Sequence, residues 1–170
     1  MAESNRDRIN PSLLDRLTDE APGERSATGG GAAVSLSELR KSVLRDLNWL
    51  FNTSQLLKTD EAEAWPAVRK SVVNYGLPPL SGVTASGLDV RKLERALRQA
   101  ILDFEPRILP DSVSVKALVD QQSLDHHNVI SLQIEALLWA QPVPVELLLR
   151  TQFDLESGQN RVDETTLGRR

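Results

Sequence analysis

The chain has 170 residues, of which 40% are hydrophobic and 26% charged, a composition typical of one ordinary globular domain. The absence of cysteine excludes disulfides, thiolate metal sites and thiol nucleophiles, and it favours a reducing compartment. The net charge of -4 and the aromatic content of 4% argue against a nucleic-acid partner, and the lack of a long apolar run or signal peptide predicts a cytoplasmic protein without direct membrane insertion.

The first predicted element is a short amphipathic helix near the N-terminus. It begins after an asparagine and a proline suited to a helix start, and Leu13, Leu14 and Leu17 give it one apolar stripe. The glycine-rich stretch 22–31 that follows predicts a flexible tether. Residues 1–34 are therefore expected to form a docking segment and linker, whose helix either binds a partner or folds back on its own domain.

The first half of the folded domain carries the pattern of three helices. The apolar period and the capping residues predict helices over about 35–52, 65–76 and 89–104. In the second of these, Val72 and Val73 are expected to face the core. The third is expected to end where a proline forces the preceding residue out of the helical region.

The second half of the domain carries the pattern of strands, because the apolar period changes from 3.6 to 2. Alternation predicts three strands near 113–119, 130–136 and 145–155, joined by short connections into an antiparallel meander. The expected fold class is α+β, with three helices packed on a small antiparallel β-meander and a short N-terminal helix on a flexible tether. The folded domain is predicted over residues 35–162, and a mobile tail over 163–170.

No catalytic motif with a clear mechanism is present in the sequence. A phosphate-binding loop, a nucleophile elbow and a zinc-protease motif are all missing. The loop 120–127 holds two acids and two histidines, for which solvated side chains are favoured over a metal site. Asp103 and Glu105 could form the carboxylate pair of a glycosidase, but the neighbouring Arg107 favours a structural ion pair. We therefore expect no enzyme activity, no cofactor and no metal.

Two surface features are candidates for binding a partner. Arg91, Arg95 and Arg98 form a basic stripe on the outer face of the third helix, where a solvated face is the default and an acidic protein surface the alternative partner. Trp139 is predicted either to be a core residue at a sheet corner or to form a contact platform beside neighbouring prolines.

Five segments together carry a family resemblance. They are SLLDRL at 12–17, LNWLFNT at 47–53, VVNYGLP at 72–78, FEPR at 104–107 and LWAQPVP at 138–144. Their identity and order resemble the phage baseplate-wedge, lysozyme-like family that includes TssE, the baseplate subunit of type VI secretion systems. The resemblance covers nearly the whole chain, which makes it more specific than any one segment.

The resemblance implies a structural role in the wedge of a contractile-tail baseplate. The implied partners are the wedge proteins TssF and TssG, with the adaptor TssK and the sheath proteins TssB and TssC nearby, at a cytoplasmic baseplate docked to the inner-membrane complex. The Glu-Pro-Arg triplet is the family hallmark, so Glu105, Pro106 and Arg107 are expected to bind a partner. The N-terminal leucines and the arginine stripe are added to these as candidate partner-binding residues.

Two physical arguments accompany the resemblance. Proline fixes its own φ and pushes its predecessor toward extended geometry, so the triplet is expected to form a rigid, preorganised contact. The third strand, 145–155, is unusually long, and at a sheet edge it could accept a strand from the sheath. The alternatives left open are a peptidoglycan-active, lysozyme-like hydrolase and a regulatory, anti-adaptor-like binding module.

Overall fold

The protein consists of helices packed on one antiparallel sheet. The computed structural model describes residues 12–17, 35–57, 61, 64–79, 89–118, 129–140 and 142–165. In this part of the chain the helices are α1 (Leu13–Leu17), α2 (Leu36–Phe51), α3 (Pro66–Arg69) and α4 (Val90–Phe104), and the strands are β1 (Ser114–Leu118), β2 (Val129–Leu138), β3 (Val145–Asp154) and β4 (Asn160–Glu164). The glycine-rich stretch 22–31 and the loop 120–127 lie outside the described residues.

The two long helices begin where the sequence predicts them to begin. The hydroxyl of Ser35 accepts a hydrogen bond from the backbone of Glu38, whose carboxylate accepts one in return from the backbone of Ser35. The carboxylate of Asp89 accepts a hydrogen bond from the backbone N–H of Lys92 at 3.1 Å. Each contact satisfies an N–H group that has no partner within its helix, and so fixes the first turn.

The predicted second helix is only partly present. Helix α3 ends at Arg69 and a 3-10 turn, Val72–Asn74, follows it. Val72 and Val73 are 83% and 60% exposed, so the prediction that they face the core is wrong. The buried residue is Asn74, whose side-chain oxygen accepts a hydrogen bond from the N–H of Leu57 at 2.9 Å. The side chain that this segment buries is therefore a hydrogen-bonded amide and not the predicted pair of valines.

The segment after the 3-10 turn lies along the end of α2. The N–H of Leu77 donates to the carbonyl of Thr53 at 2.8 Å, and the N–H of Gln55 donates to the carbonyl of Leu77 at 2.9 Å. Gly76 has a φ of 126°, and a Cβ at this position would lie 2.3 Å from the Thr53 carbonyl oxygen. Glycine is therefore required here by both backbone conformation and space.

The sheet has the strand order β1-β2-β3-β4 and every neighbouring pair is antiparallel. The predicted meander is thus present, with a fourth strand in addition to the three expected. The carboxylate of Asp154 accepts hydrogen bonds from the backbone of Glu156 and Ser157, and Gly158 has a φ of 70°. This turn folds β4 back onto β3, and β4 includes two residues, 163 and 164, of the predicted tail.

The position of β3 bears on its expected contact with the sheath. The strand lies between β2 and β4, so it does not meet the condition, a place at the sheet edge, on which strand addition at 145–155 depended. The strand is paired on both sides. All ten of its residues pair with β2, and residues 149–153 also pair with β4. The edge strands of the described sheet are β1 and β4.

The core lies between the sheet and the two long helices. Helix α2 contacts β4, α4 contacts β1, and the two helices also contact each other. Among the residues that the structure describes, those with no measurable exposure are apolar apart from an asparagine and a threonine. The ones that join the helices to the strands include Val43, Leu47, Leu97, Ile101, Leu132, Ile134 and Leu149. Within the described part of the chain, no helix is both long and apolar enough to span a bilayer.

Candidate functional site

The Glu-Pro-Arg triplet forms the bend that ends α4. The N–H of Glu105 makes the last helical hydrogen bond, to the carbonyl of Ile101 at 2.9 Å, and Pro106 has no N–H with which to continue it. Glu105 takes φ -118° and ψ 83°, outside the helical region, as expected for a residue that precedes proline. The predicted break at this position is confirmed.

The backbone of the bend is fixed to the sheet. The carbonyl of Arg107 accepts a hydrogen bond from the N–H of Trp139 at 2.8 Å, and the N–H of Leu109 donates to the carbonyl of Leu137 at 2.9 Å. Trp139 follows directly after β2, so the bend and the end of that strand form one rigid unit. The Trp139 side chain is 46% exposed, which excludes the core position and leaves it beside the bend at the surface.

Within the triplet, the carboxylate and the guanidinium bind each other. Glu105 Oε1 accepts hydrogen bonds from Arg107 Nε at 2.7 Å and from the Arg107 backbone N–H at 3.1 Å, and Glu105 Oε2 accepts from Arg107 Nη2 at 2.6 Å. This is the two-pronged geometry in which arginine binds carboxylates most strongly. Glu105 is only 4% exposed, whereas Pro106 is exposed and Arg107 half-buried.

The same guanidinium also binds helix α2. Arg107 Nη2 lies 2.5 Å from Asp46 Oδ2, and Nη1 donates to the hydroxyl of Ser42 at 3.0 Å. Burial by itself lowers the pKa of Arg107, but Glu105 and Asp46 outweigh it and hold that pKa above its ordinary value. Arg107 is therefore a permanently charged group that joins the end of α4 to α2.

Asp46 links this cluster to the N-terminal helix. Its Oδ1 lies 2.9 Å from Arg45 Nη2, and Arg45 Nη1 lies 2.5 Å from Asp15 Oδ1 in α1. Residues of alternating charge thus contact one another in the order Asp15, Arg45, Asp46, Arg107 and Glu105. Burial raises the pKa of Asp15, but hydrogen bonds from Ser12 and Arg45 and the charge of Arg45 lower it overall.

The N-terminal helix contacts its own domain and still exposes its leucines. Leu13 and Leu17 are 70% and 75% exposed, and Leu14 is 42% exposed. The guanidinium of Arg45, which binds α1, also lies 5.2 Å from the centre of the half-exposed Trp49 ring. The two expectations for this helix are therefore compatible, because the polar contact places α1 on the domain while its apolar stripe remains accessible.

The arginine stripe divides into two parts. All three arginines are exposed, and Arg95 Nε donates to the carbonyl of Arg91 within the helix at 3.2 Å. Arg98 instead donates from Nε to the carbonyl of Val113, just before β1, at 3.1 Å. The three arginines therefore do not form one equivalent set of free charges.

Several residues of the site were not found by sequence reasoning. Ser42 and Asp46 lie four residues apart on one face of α2, and only the packing of α2 against the bend brings them to Arg107. The Tyr75 hydroxyl lies 3.3 Å from the Asp46 carbonyl, and its ring packs edge-on against Phe104 at 5.1 Å. Spacing alone could have suggested the Ser42 and Asp46 pair, but not its partner.

A comparison with protein families identifies the family of the chain. A family model described as baseplate wedge protein gp25 matches residues 37–143, which is more than half of the chain and includes α2, α4, the bend and the first two strands. Searches of curated proteins and of solved structures each returned no match. The resemblance seen in the sequence is confirmed at the level of this family. The chain belongs to the family of the baseplate wedge protein gp25.

Proposed function

We propose that the chain is a TssE-type wedge subunit of a type VI secretion baseplate, with a structural and not an enzymatic role. The family match over residues 37–143 supports the structural wedge role, because baseplate wedge proteins of this family are structural. The assignment to a type VI system is supported by the five sequence segments that resemble TssE. The proposed partners are TssF and TssG in the wedge, with TssK, TssB and TssC nearby. The proposed location is the cytoplasmic face of the inner-membrane complex.

We propose that the partner-binding surface at the bend consists of Pro106, Arg107 and Trp139. Pro106 and Trp139 are exposed, and both are held by a backbone that has little conformational freedom left to lose on binding. Tryptophan and arginine are also among the residue types most enriched in the few interface residues that contribute most of the binding energy. Glu105 is too deeply buried for a direct contact, so its proposed role is to hold the Arg107 guanidinium in position.

Co-purification with TssF and TssG tests this surface. Trp139→Ala and Pro106→Ala remove exposed side chains without removing any hydrogen bond described above, so we expect both variants to fold and to recover at least about fivefold less wedge complex. Trp65→Ala is the matched control, because Trp65 is a 64% exposed tryptophan at the N-terminal cap of α3 and takes part in none of the contacts of the bend described above. Recovery at the level of the unmodified chain by both bend variants would contradict the proposal.

The proposed contribution to sheath assembly is strand addition at the outer edge of β4. The N–H and C=O groups of Asn160 face away from β3 and bond the side chain of Asn52, each at 2.8 Å. Val162 and Glu164 share that orientation by strand alternation, and neither backbone has a hydrogen-bond partner on this side among the described residues. Such groups are a template for an added strand.

Hydrogen exchange on addition of TssB and TssC tests strand addition. We expect the amides of Val162 and Glu164 to gain protection, since they face outward. The amides of Arg161 and Asp163 face β3 by the same alternation and serve as internal controls that should change little. Sheath binding that leaves the two outward amides as fast as before would exclude β4 as the acceptor.

The hydrolase and regulatory alternatives have no comparable support. A glycosidase needs a general acid in an apolar pocket, whereas Glu105 is bound by a guanidinium and Asp103 accepts a hydrogen bond from Gln99 at 3.0 Å. A peptidoglycan turbidity assay in which the chain clears the suspension, and Glu105→Gln does not, would favour the hydrolase. No contact among the described residues favours an anti-adaptor module over a wedge subunit.

A further inference from the structure

The strand β1 forms the second edge of the sheet. Among the described residues it pairs only with β2, and its alternate residues direct their backbone groups away from that strand. The carbonyl of Val113 and the N–H of Ala117 are among these outward groups, and both are bonded by side chains of α4. Val115 lies between them and faces outward by the same alternation. At the β1 edge, side chains of α4 bond the outward backbone groups, whereas at the β4 edge the side chain of Asn52 bonds those of Asn160.

Two side chains of α4 occupy the edge. Arg98 Nε donates to the carbonyl of Val113 at 3.1 Å, and Glu94 Oε1 accepts from the N–H of Ala117 at 2.7 Å. Residues four apart on a helix, one acidic and one basic, commonly pair with each other. Here each side chain instead binds the backbone group that matches its own chemistry, a donor to a carbonyl and an acceptor to an amide.

We propose that Glu94 and Arg98 block the edge of β1 and prevent it from pairing with β1 of a second copy of the chain. An added strand would have to displace both charged side chains or move α4, whose Leu93 and Leu97 are 3% and 0% exposed in the core. Covering an edge with a helix and with charged groups is an established way to prevent edge-to-edge association. The proposal goes beyond the wedge function, since it concerns pairing between identical chains and assigns Arg98 an intramolecular role.

The test uses the full chain with matched variants of one helix. The double variant Glu94→Ala and Arg98→Ala opens both outward groups, whereas Arg91→Ala with Arg95→Ala removes exposed charge from the preceding turn and leaves β1 untouched. Light scattering during size exclusion gives the mass over a range of concentrations. We expect the first variant to gain mass with concentration and the second to behave as the unmodified chain does.

Hydrogen exchange of single amides identifies the surface responsible. In the unmodified chain we expect the Ala117 amide to be protected, and Glu94→Ala to accelerate its exchange about tenfold or more because a charge-assisted hydrogen bond is lost. In the associated double variant, the outward amide of Val115 should gain protection. The proposal is overturned if the double variant keeps the mass of the control at every concentration, or if it gains mass without protection of Val115.

A second comparison covers the case in which the double variant does not fold. The single variant Glu94→Gln retains the length of the side chain and an oxygen that can accept from Ala117, whereas Arg98→Met retains an unbranched side chain but no group that can donate to Val113. Glu94→Gln should remain unassociated, and Arg98→Met should gain mass with concentration. The reverse order, or an Ala117 amide in the unmodified chain that exchanges as fast as an open one, would overturn the proposal.

Discussion

Glu105 and Arg107 bind each other across the proline that separates them, and the two residues are not equally exposed. The Glu105 side chain is 3% exposed and the Arg107 side chain 22%. A buried charge that loses its partner is strongly destabilising, whereas replacement of both partners removes much of that cost. At the bend, a variant that removes one charge of this pair is therefore expected to be less stable than a variant that removes both charges.

This asymmetry predicts the stability of two variants. Arg107→Met leaves the Glu105 carboxylate buried without its guanidinium and should cost about 3 kcal/mol of unfolding free energy. Adding Glu105→Gln removes the unpaired charge, so the double variant should recover at least about 1 kcal/mol of this loss. Urea unfolding measures both, with Arg161→Met as control, since the Arg161 side chain is 80% exposed in its ion pair with Asp163. A double variant less stable than Arg107→Met would contradict the argument.

Sequence reasoning reached part of this site. The triplet and its bend could be predicted, because the effect of proline on its predecessor is local. The binding of Arg107 to Ser42 and Asp46 could not, since these residues are 65 and 61 positions away and meet it only through the packing of α2 against the bend. The burial of Glu105 has the same origin, and it is the reason that its proposed role is now indirect.

Among the elements, predictability followed the strength of the local signal. Helices α2 and α4 have apolar residues at the helical period and a capping side chain at each start, so both could be predicted. Strand β4 has Val162 as its one apolar residue among polar neighbours, and it is held by pairing with β3 and by Asn52. Such contacts come from distant parts of the chain and leave no period in the sequence.

Helix α1 has a pH dependence that follows from Asp15. The pKa of this carboxyl is held below its ordinary value of 3.8 by Ser12 and Arg45, so its contact with the domain is fully present above that value. As the pH falls through the lowered pKa, Asp15 becomes protonated and the contact weakens. We expect α1 to detach in acid at a total cost of no more than about 1 kcal/mol, because the pair is partly exposed.

Tryptophan fluorescence provides the measurement when Trp65 and Trp139 are replaced by phenylalanine in every chain compared, because Arg45 lies over the remaining Trp49 ring and also binds α1. Asp15→Asn should show at neutral pH the emission that the unmodified chain reaches only in acid. Asp163→Asn is the matched control, since it removes a carboxylate from an exposed ion pair with Arg161 that includes neither Arg45 nor Trp49. The prediction fails if Asp15→Asn and the unmodified chain have the same emission between neutral pH and pH about 3.

At the scale of the whole molecule, polar contacts join the helices to the sheet around an apolar core. The bend does so through Arg107 and Asp46, and the C-terminal cap of α2 does so through Asn52. Arg40 adds contacts from the first turns of α2 to the carbonyl of Glu146 at 3.1 Å and to the side chain of Glu164 at 2.8 Å. These contacts set which strand lies under which helix, and so determine where the open edge of β4 is placed.

Asn52 is expected to be the strongest of these contacts with β4. Its side chain donates to the carbonyl of Asn160 and accepts from the N–H of Asn160, each at 2.8 Å, and Asn52→Ala leaves both part-buried groups without a partner. Unfolding free energy should fall by about 2 kcal/mol, against less than about 1 kcal/mol for Arg40→Ala, whose ion pair is about one-third exposed. Hydrogen exchange should also show faster amides throughout β4 but unchanged amides in β1, because only the β4 side of the sheet loses its attachment to α2. Equal acceleration at both edges would mean that Asn52 stabilises the fold as a whole and does not fix β4 in particular.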